Sequence, residues 1–81
     1  MIGAYLFINL DLSQNYENLL TDVKKLNGVK FANRLYGTYD LVIYMEVKNS
    51  EELKRVTLES VRTLKFVKST VTFISMDSYE K

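Results

Sequence analysis

The sequence predicts an α+β fold with element order β-α-β-β-α-β, and three observations predict it. Residues 41–45 are apolar or aromatic without a break and residues 5–10 are largely so on both faces, as strands in the middle of a sheet are. Two other segments carry apolar residues at helical spacing, and each leads into a strand-like run. Leu20, Val23, Leu26 and Val29 recur as Leu58, Val61, Leu64 and Val67, an offset of 38 that marks two related helix–strand units. Two βαβ units with right-handed crossovers give a ferredoxin-like antiparallel sheet in the order 4-1-3-2, with both helices on one face.

The first strand is Tyr5 to Leu10, with Leu6, Ile8 and Leu10 on one face and Tyr5 and Phe7 on the other. Asp11-Leu12-Ser13 turns the chain, with Ser13 placed as a helix N-cap. The first helix is expected from about Gln14 to Leu26, its inward stripe made of Tyr16, Leu19, Leu20, Val23 and Leu26. Gly28 is the left-handed residue that ends it. Val29 to Leu35 reads as an edge strand, because Val29, Phe31 and Leu35 alternate with Lys30, Ala32 and Arg34 and leave one face wet. A glycine-centred turn at Gly37 then joins it to the third strand, Tyr39 to Val47, and Gly37 is expected at positive φ. Asn49 with Glu52 has capping-box spacing and starts a second helix that runs to about Leu64. Its stripe is Leu53, Val56, Thr57, Ser60, Val61 and Leu64, which leaves Leu58 exposed. The fourth strand is Val67 to Ser75, with Val71 and Phe73 on one face and Thr70, Thr72 and Ile74 on the other. The domain spans 1–76, and 77–81 read as a frayed, flexible tail.

The chain of 81 residues makes one domain and a modest core, and oligomerisation commonly stabilises domains of this size. Two helices cover one face of the sheet only. The other would present Tyr, Phe, Ile and Met side chains to solvent, so a homodimer packing sheet on sheet, a dimeric α+β barrel, is the simplest arrangement. Tyr5, Phe7, Tyr44 and Leu58 are the residues expected at such contacts.

There is no Cys and no His, which removes thiol nucleophiles, thiolate metal sites, the commonest general base and the commonest metal ligand. No Gly-rich phosphate loop, metal-ligand cluster or nucleophile–base pair is visible, so no catalytic residue, metal or cofactor is assigned. A net charge of +1 gives no electrostatic reason to favour nucleic acid or an anionic membrane. No apolar run approaches the roughly 20 residues of a membrane span. No signal peptide is apparent at Met1-Ile2-Gly3-Ala4, and a cytoplasmic location is expected. The distinctive chemistry is Asp40, an acid beside the Gly37 turn. A glycine lets a ligand reach backbone N–H groups, and an acid pairs with an ammonium. The same acid also fits a solvated strand start or a bond within its own turn.

Gly37-Thr38-Tyr39-Asp40-Leu41, Leu26-Asn27-Gly28-Val29 and Val67-Lys68-Ser69-Thr70-Val71-Thr72 together resemble the effector domain of the Lrp/AsnC (feast/famine) regulators. That domain is called RAM, for regulation of amino-acid metabolism, and the resemblance covers nearly the whole chain. It implies a non-enzymatic domain that binds a free amino acid where dimers meet, assembles into dimers and larger rings, and does not itself bind DNA. Gly37, Thr38, Tyr39 and Asp40 are the ligand-binding positions the resemblance implies, with Ser69, Thr70 and Thr72 beside them. Since full-length members carry a helix-turn-helix domain first, the resemblance implies a stand-alone RAM protein, able to co-assemble with full-length regulators of its family. Lys65-Phe66 replaces the Pro-Gly found in many members before the last strand. Two other readings share the topology: a small dimeric α+β barrel enzyme of the cofactor-free monooxygenase or isomerase type, and an ACT-like amino-acid sensor.

Overall fold

The computed structural model of the chain describes residues 1–11, 18–61, 63–77 and 79–81. The elements run β1 (Ile2–Leu10), α1 (Leu19–Lys24), β2 (Val29–Arg34), β3 (Leu41–Val47), α2 (Ser50–Arg55), a π-helical continuation (Val56–Val61) and β4 (Val67–Ile74). The sheet order is β2-β3-β1-β4, the predicted 4-1-3-2 read from the other edge, and every pairing is antiparallel. The proposed Ser13 cap, the helix start at Gln14 and Tyr16 lie outside the described residues.

Alternation along the two central strands separates two faces. Ala4, Leu6, Ile8 and Leu10 of β1 and Leu41, Ile43, Met45 and Val47 of β3 are buried, and they meet Leu19 and Val23 of α1, Leu53 of α2 and Val56 and Val61 of the continuation. The odd residues of β1 and the even residues of β3 point the other way. Tyr5 and Phe7 therefore lie on the face the helices leave open, across from Tyr44 and Val42. The register is fixed by this pattern, since a one-residue slip would turn the core outward.

The 38-residue repeat is structural as well as sequential. The Leu26 N–H donates to the Val23 carbonyl and the Val29 N–H to that of Leu26, while Leu64 donates to Val61 and Val67 to Leu64. Leu20 and Leu58 are equally half-exposed, at 47% and 46%. Exposure of Leu58 is as predicted; Leu20 does not join the inward stripe.

Three local features depart from the sequence reading, while Gly28 is left-handed as expected. Gly37 does not have positive φ, and a Cβ added there would meet nothing. The left-handed glycine is Gly28, at φ 86°. A β-bulge between Val29 and Phe31 reverses the face of β2, so Val29 and Ala32 pack on the core and Phe31 joins the open face opposite Tyr44. The second helix changes to the i→i+5 bonding of π geometry at Val56, with Val56 and Val61 both buried. Its start is as predicted: the Asn49 side chain accepts from the Glu52 N–H at 2.9 Å.

Candidate functional site

The β2–β3 hairpin closes where the Leu35 N–H donates to the Asp40 carbonyl at 2.8 Å. Between them Tyr36 is fully exposed, Gly37 and Thr38 are exposed, and Tyr39 folds back with its ring 5.4 Å from Phe7. The sequence-predicted Gly37, Thr38, Tyr39 and Asp40 therefore form one exposed tip next to the open sheet face.

Asp40 does more than face this tip. Its N–H donates to the Ile8 carbonyl at 3.0 Å, and its Oδ2 accepts from the Leu10 N–H at 2.8 Å. The β1–β4 ladder is irregular between Asn9 and Leu10, and the carboxylate serves the Leu10 amide there. Beyond the solvated strand start, the bond within its own turn and the ligand role read from the sequence, one of its oxygens ties the hairpin to the end of β1.

Ser69 sits on the open face, opposite Asn9, whose Nδ2 donates to its Oγ at 3.3 Å. Thr70 and Thr72 point to the helix face. Thr72 lines a groove of about 370 Å³ with Leu53, Thr57, Leu58 and Ile74, along the β4 edge. The hairpin tip and Ser69 share one end of the sheet, while Thr70 and Thr72 do not join them on one surface.

The open face carries a continuous aromatic set. Tyr5 packs on Tyr44 at 4.8 Å between ring centres, Phe31 stacks on Tyr44 at 5.3 Å, and Phe7 meets Phe73 edge-on at 5.7 Å. Tyr5, Phe7 and Tyr44, expected at an interface, lie together here; Leu58 lies across the molecule on the helix layer. Phe31 and Phe73 were not singled out in the sequence as part of this set, and the bulge that turns Phe31 outward has no clear sequence signature. The Tyr44 ring runs over Gly3, where a Cβ would come within 2.5 Å of its hydroxyl. That hydroxyl donates to Glu46 Oε2 at 3.2 Å. Desolvation first, and then the Glu46 carboxylate, hold the Tyr44 phenol above its ordinary pKa.

A second polar region lies at the opposite end of β3. A cleft of about 530 Å³ is lined by Asn27, Gly28, Lys30, Glu46, Lys48, Glu52 and Arg55 among others. Among the described residues no cluster of three or more acidic, His or Cys side chains could hold a metal, and no helix is long and apolar enough to cross a membrane.

Comparison with known proteins gives these features a context. The family model of the Lrp/AsnC ligand binding domain matches residues 3–81. TTHA0845 from Thermus thermophilus has a crystal structure similar over 100% of both chains, with TM-score 0.86 and 27% identity. The feast or famine regulatory protein Rv3291c from M. tuberculosis, solved with L-methionine, matches 100% of this chain and 54% of its own, with TM-score 0.83 and 21% identity. The homocitrate synthase of Saccharolobus solfataricus is 31% identical over 71 residues, 88% of this chain. The chain spans 15% of that enzyme's length.

Proposed function

Because this chain belongs to the Lrp/AsnC ligand-binding domain family, a ligand-binding regulatory domain whose structural neighbours include transcriptional regulators, we propose that it binds a free amino acid at the β2–β3 hairpin tip, assembles through its open sheet face, and so modulates regulators of its family. The observation that carries this reading is the open face itself. Phe73, Phe31, Val71 and Tyr5 remain 54%, 45%, 37% and 36% exposed there, in one patch with Phe7 and Tyr44. A contiguous apolar patch of this kind marks an interaction surface, and a second copy of the same sheet is the partner whose shape fits it. The hairpin tip borders that face through the Tyr39–Phe7 contact, so ligand and assembly would meet. The methionine bound in the M. tuberculosis protein supports an amino acid as the ligand class.

The homocitrate synthase match favours a second reading, in which a domain of this kind regulates a metabolic enzyme instead of a transcription factor. Both readings keep the ligand and differ in the partner.

The test is a thermal-shift screen of the twenty amino acids combined with light scattering. A ligand at about 100 times its dissociation constant stabilises by about 2.7 kcal/mol, worth several degrees in a domain this small. Scattering is expected to show a dimer or larger, and Phe7→Asp to dissociate it. A dominant, folded 9.5 kDa species would refute the assembly; a screen without any shift, confirmed by flat calorimetric titrations, would refute the ligand.

A further inference from the structure

The geometry points to a second small-molecule site, separate from the hairpin, for a zwitterion with two carboxylates: an acidic α-amino acid. It is the cleft where β3 ends, β2 begins and α2 passes over. It lies at the far end of the seven-residue β3 from Asp40, about 20 Å away at the usual rise of a strand.

At the floor of this cleft Gly28 packs close against β3: its carbonyl accepts the Glu46 N–H at 2.9 Å, and a Cβ there would stand 2.7 Å from the Glu46 carbonyl oxygen. The walls carry Lys30, Lys48 and Arg55 against Glu46 and Glu52. The acids are held, but loosely. Glu46 Oε1 is 3.9 Å from the Lys30 ammonium and its Oε2 accepts from the Tyr44 hydroxyl at 3.2 Å, while Glu52 Oε1 accepts from Asn27 Nδ2 at 3.4 Å. All three separations leave an ammonium room to do better, since charge-assisted bonds close to about 2.7–2.9 Å. Lys48 and Arg55 have no carboxylate within ion-pair distance among the described residues, where Lys30–Glu46 is the one such pair.

Lys48 and Arg55 therefore lack an anion, and Glu46 and Glu52 offer two loosely engaged carboxylates to one cation. An α-ammonium between Glu46 and Glu52, with carboxylates at Lys48 and Arg55, answers all of it. A planar guanidinium at Arg55 also suits a carboxylate's two oxygens. The volume is ample for such a ligand, within the usual range for small-molecule pockets. This inference does not depend on the hairpin reading, since no residue of one site belongs to the other.

The experiment is residue-resolved amide NMR of the whole chain titrated with L-glutamate, with glutarate and L-leucine as comparison ligands. Saturable shifts at Gly28, Glu46, Lys48 and Arg55 are expected for glutamate. Glutarate, which keeps both carboxylates and lacks the ammonium, should bind more weakly, and L-leucine should leave these amides unmoved. Lys48→Ala with Arg55→Ala, both on exposed side chains, should weaken glutamate roughly tenfold or more, since two charge-assisted contacts are lost. Glu52→Gln should erase the preference for glutamate over glutarate while keeping the Asn27 contact. Shifts that rise linearly without saturation, or that are confined to residues 37–40, overturn the inference. The second of those outcomes would leave the hairpin reading intact, and saturation at the cleft with a silent hairpin would do the reverse.

Discussion

Asp40 is where fold and proposed function meet, and removing its carboxylate has a calculable consequence. Its Oδ2 accepts the Leu10 N–H at 2.8 Å in a part-buried setting. In Asp40→Ala that amide loses its acceptor, and an unsatisfied buried donor costs about 1–3 kcal/mol, toward the upper end when the lost acceptor was charged. Each kcal/mol moves the midpoint of a domain this size by roughly 4–8 °C, so a fall on the order of 10 °C is expected. Asp40→Asn keeps an oxygen in place and should lose less than half as much. Differential scanning fluorimetry of the three proteins, with amide exchange at Leu10 as the local readout, measures both. Exchange at Leu10 should accelerate in Asp40→Ala and far less in Asp40→Asn. Equal stability of wild type and Asp40→Ala would refute the structural role. The pair also separates stability from ligand recognition: Asp40→Asn retains most of the fold and lacks the charge an α-ammonium needs, so it is the variant in which to test loss of a ligand-induced shift.

The two turn glycines should respond in opposite ways. Gly28→Ala places a Cβ 2.7 Å from the Glu46 carbonyl at φ 86°, and strain plus overpacking should cost about 2–4 kcal/mol by denaturant titration. Gly37→Ala, with nothing near its Cβ and no positive φ, should be neutral or up to about 1 kcal/mol stabilising; a large loss there would contradict the turn geometry. Tyr44 predicts an alkaline effect. Its phenol pKa is raised in the folded protein, so the native state holds the proton more tightly than the unfolded chain. The corresponding stabilisation is complete below the unfolded value, near 10, and is lost as pH rises from there through the folded value. The melting temperature of wild type should therefore fall more steeply above about pH 10 than that of Tyr44→Phe, and parallel curves would refute it.

Much of this fold was legible because burial leaves a periodic trace. β1 and β3 declared themselves central by being apolar on both faces, and that same property hid which face meets the helices. Leu6, Ile8 and Leu10 on one side and Tyr5 and Phe7 on the other are both hydrophobic choices; only packing against Val23, Leu53 and Val61 separates them. A single extra residue at Val29/Phe31 defeated alternation in β2, since period-2 reasoning assumes an unbroken ladder. The π segment was invisible because Val56 and Val61 read as the two margins of one broad α-helical stripe, and no residue type there signals i→i+5 bonding. The hairpin tip was legible as a turn with an acid. The Asp40–Leu10 bond was not, because it joins residues 30 apart in sequence. Gly28 and Gly37 show the same limit. Both sit in turns, and only the closeness of the Glu46 backbone decides which one must be glycine.

The arrangement also says how a ligand at the hairpin could act on assembly. An effector shifts an equilibrium only by its difference in affinity for the two states. Here two contacts tie the tip to the body: Asp40 to the β1 end through Ile8 and Leu10, and Tyr39 to Phe7 on the open face. The first holds the tip in the same place whether or not the face is covered. The second does not, because Phe7 is half-buried in one chain and would be enclosed by a facing sheet, which fixes the Tyr39 ring with it. Under the proposed function, any coupling between ligand and assembly therefore runs through Tyr39 and Phe7, while Asp40 supplies the rigid support against which that difference is felt.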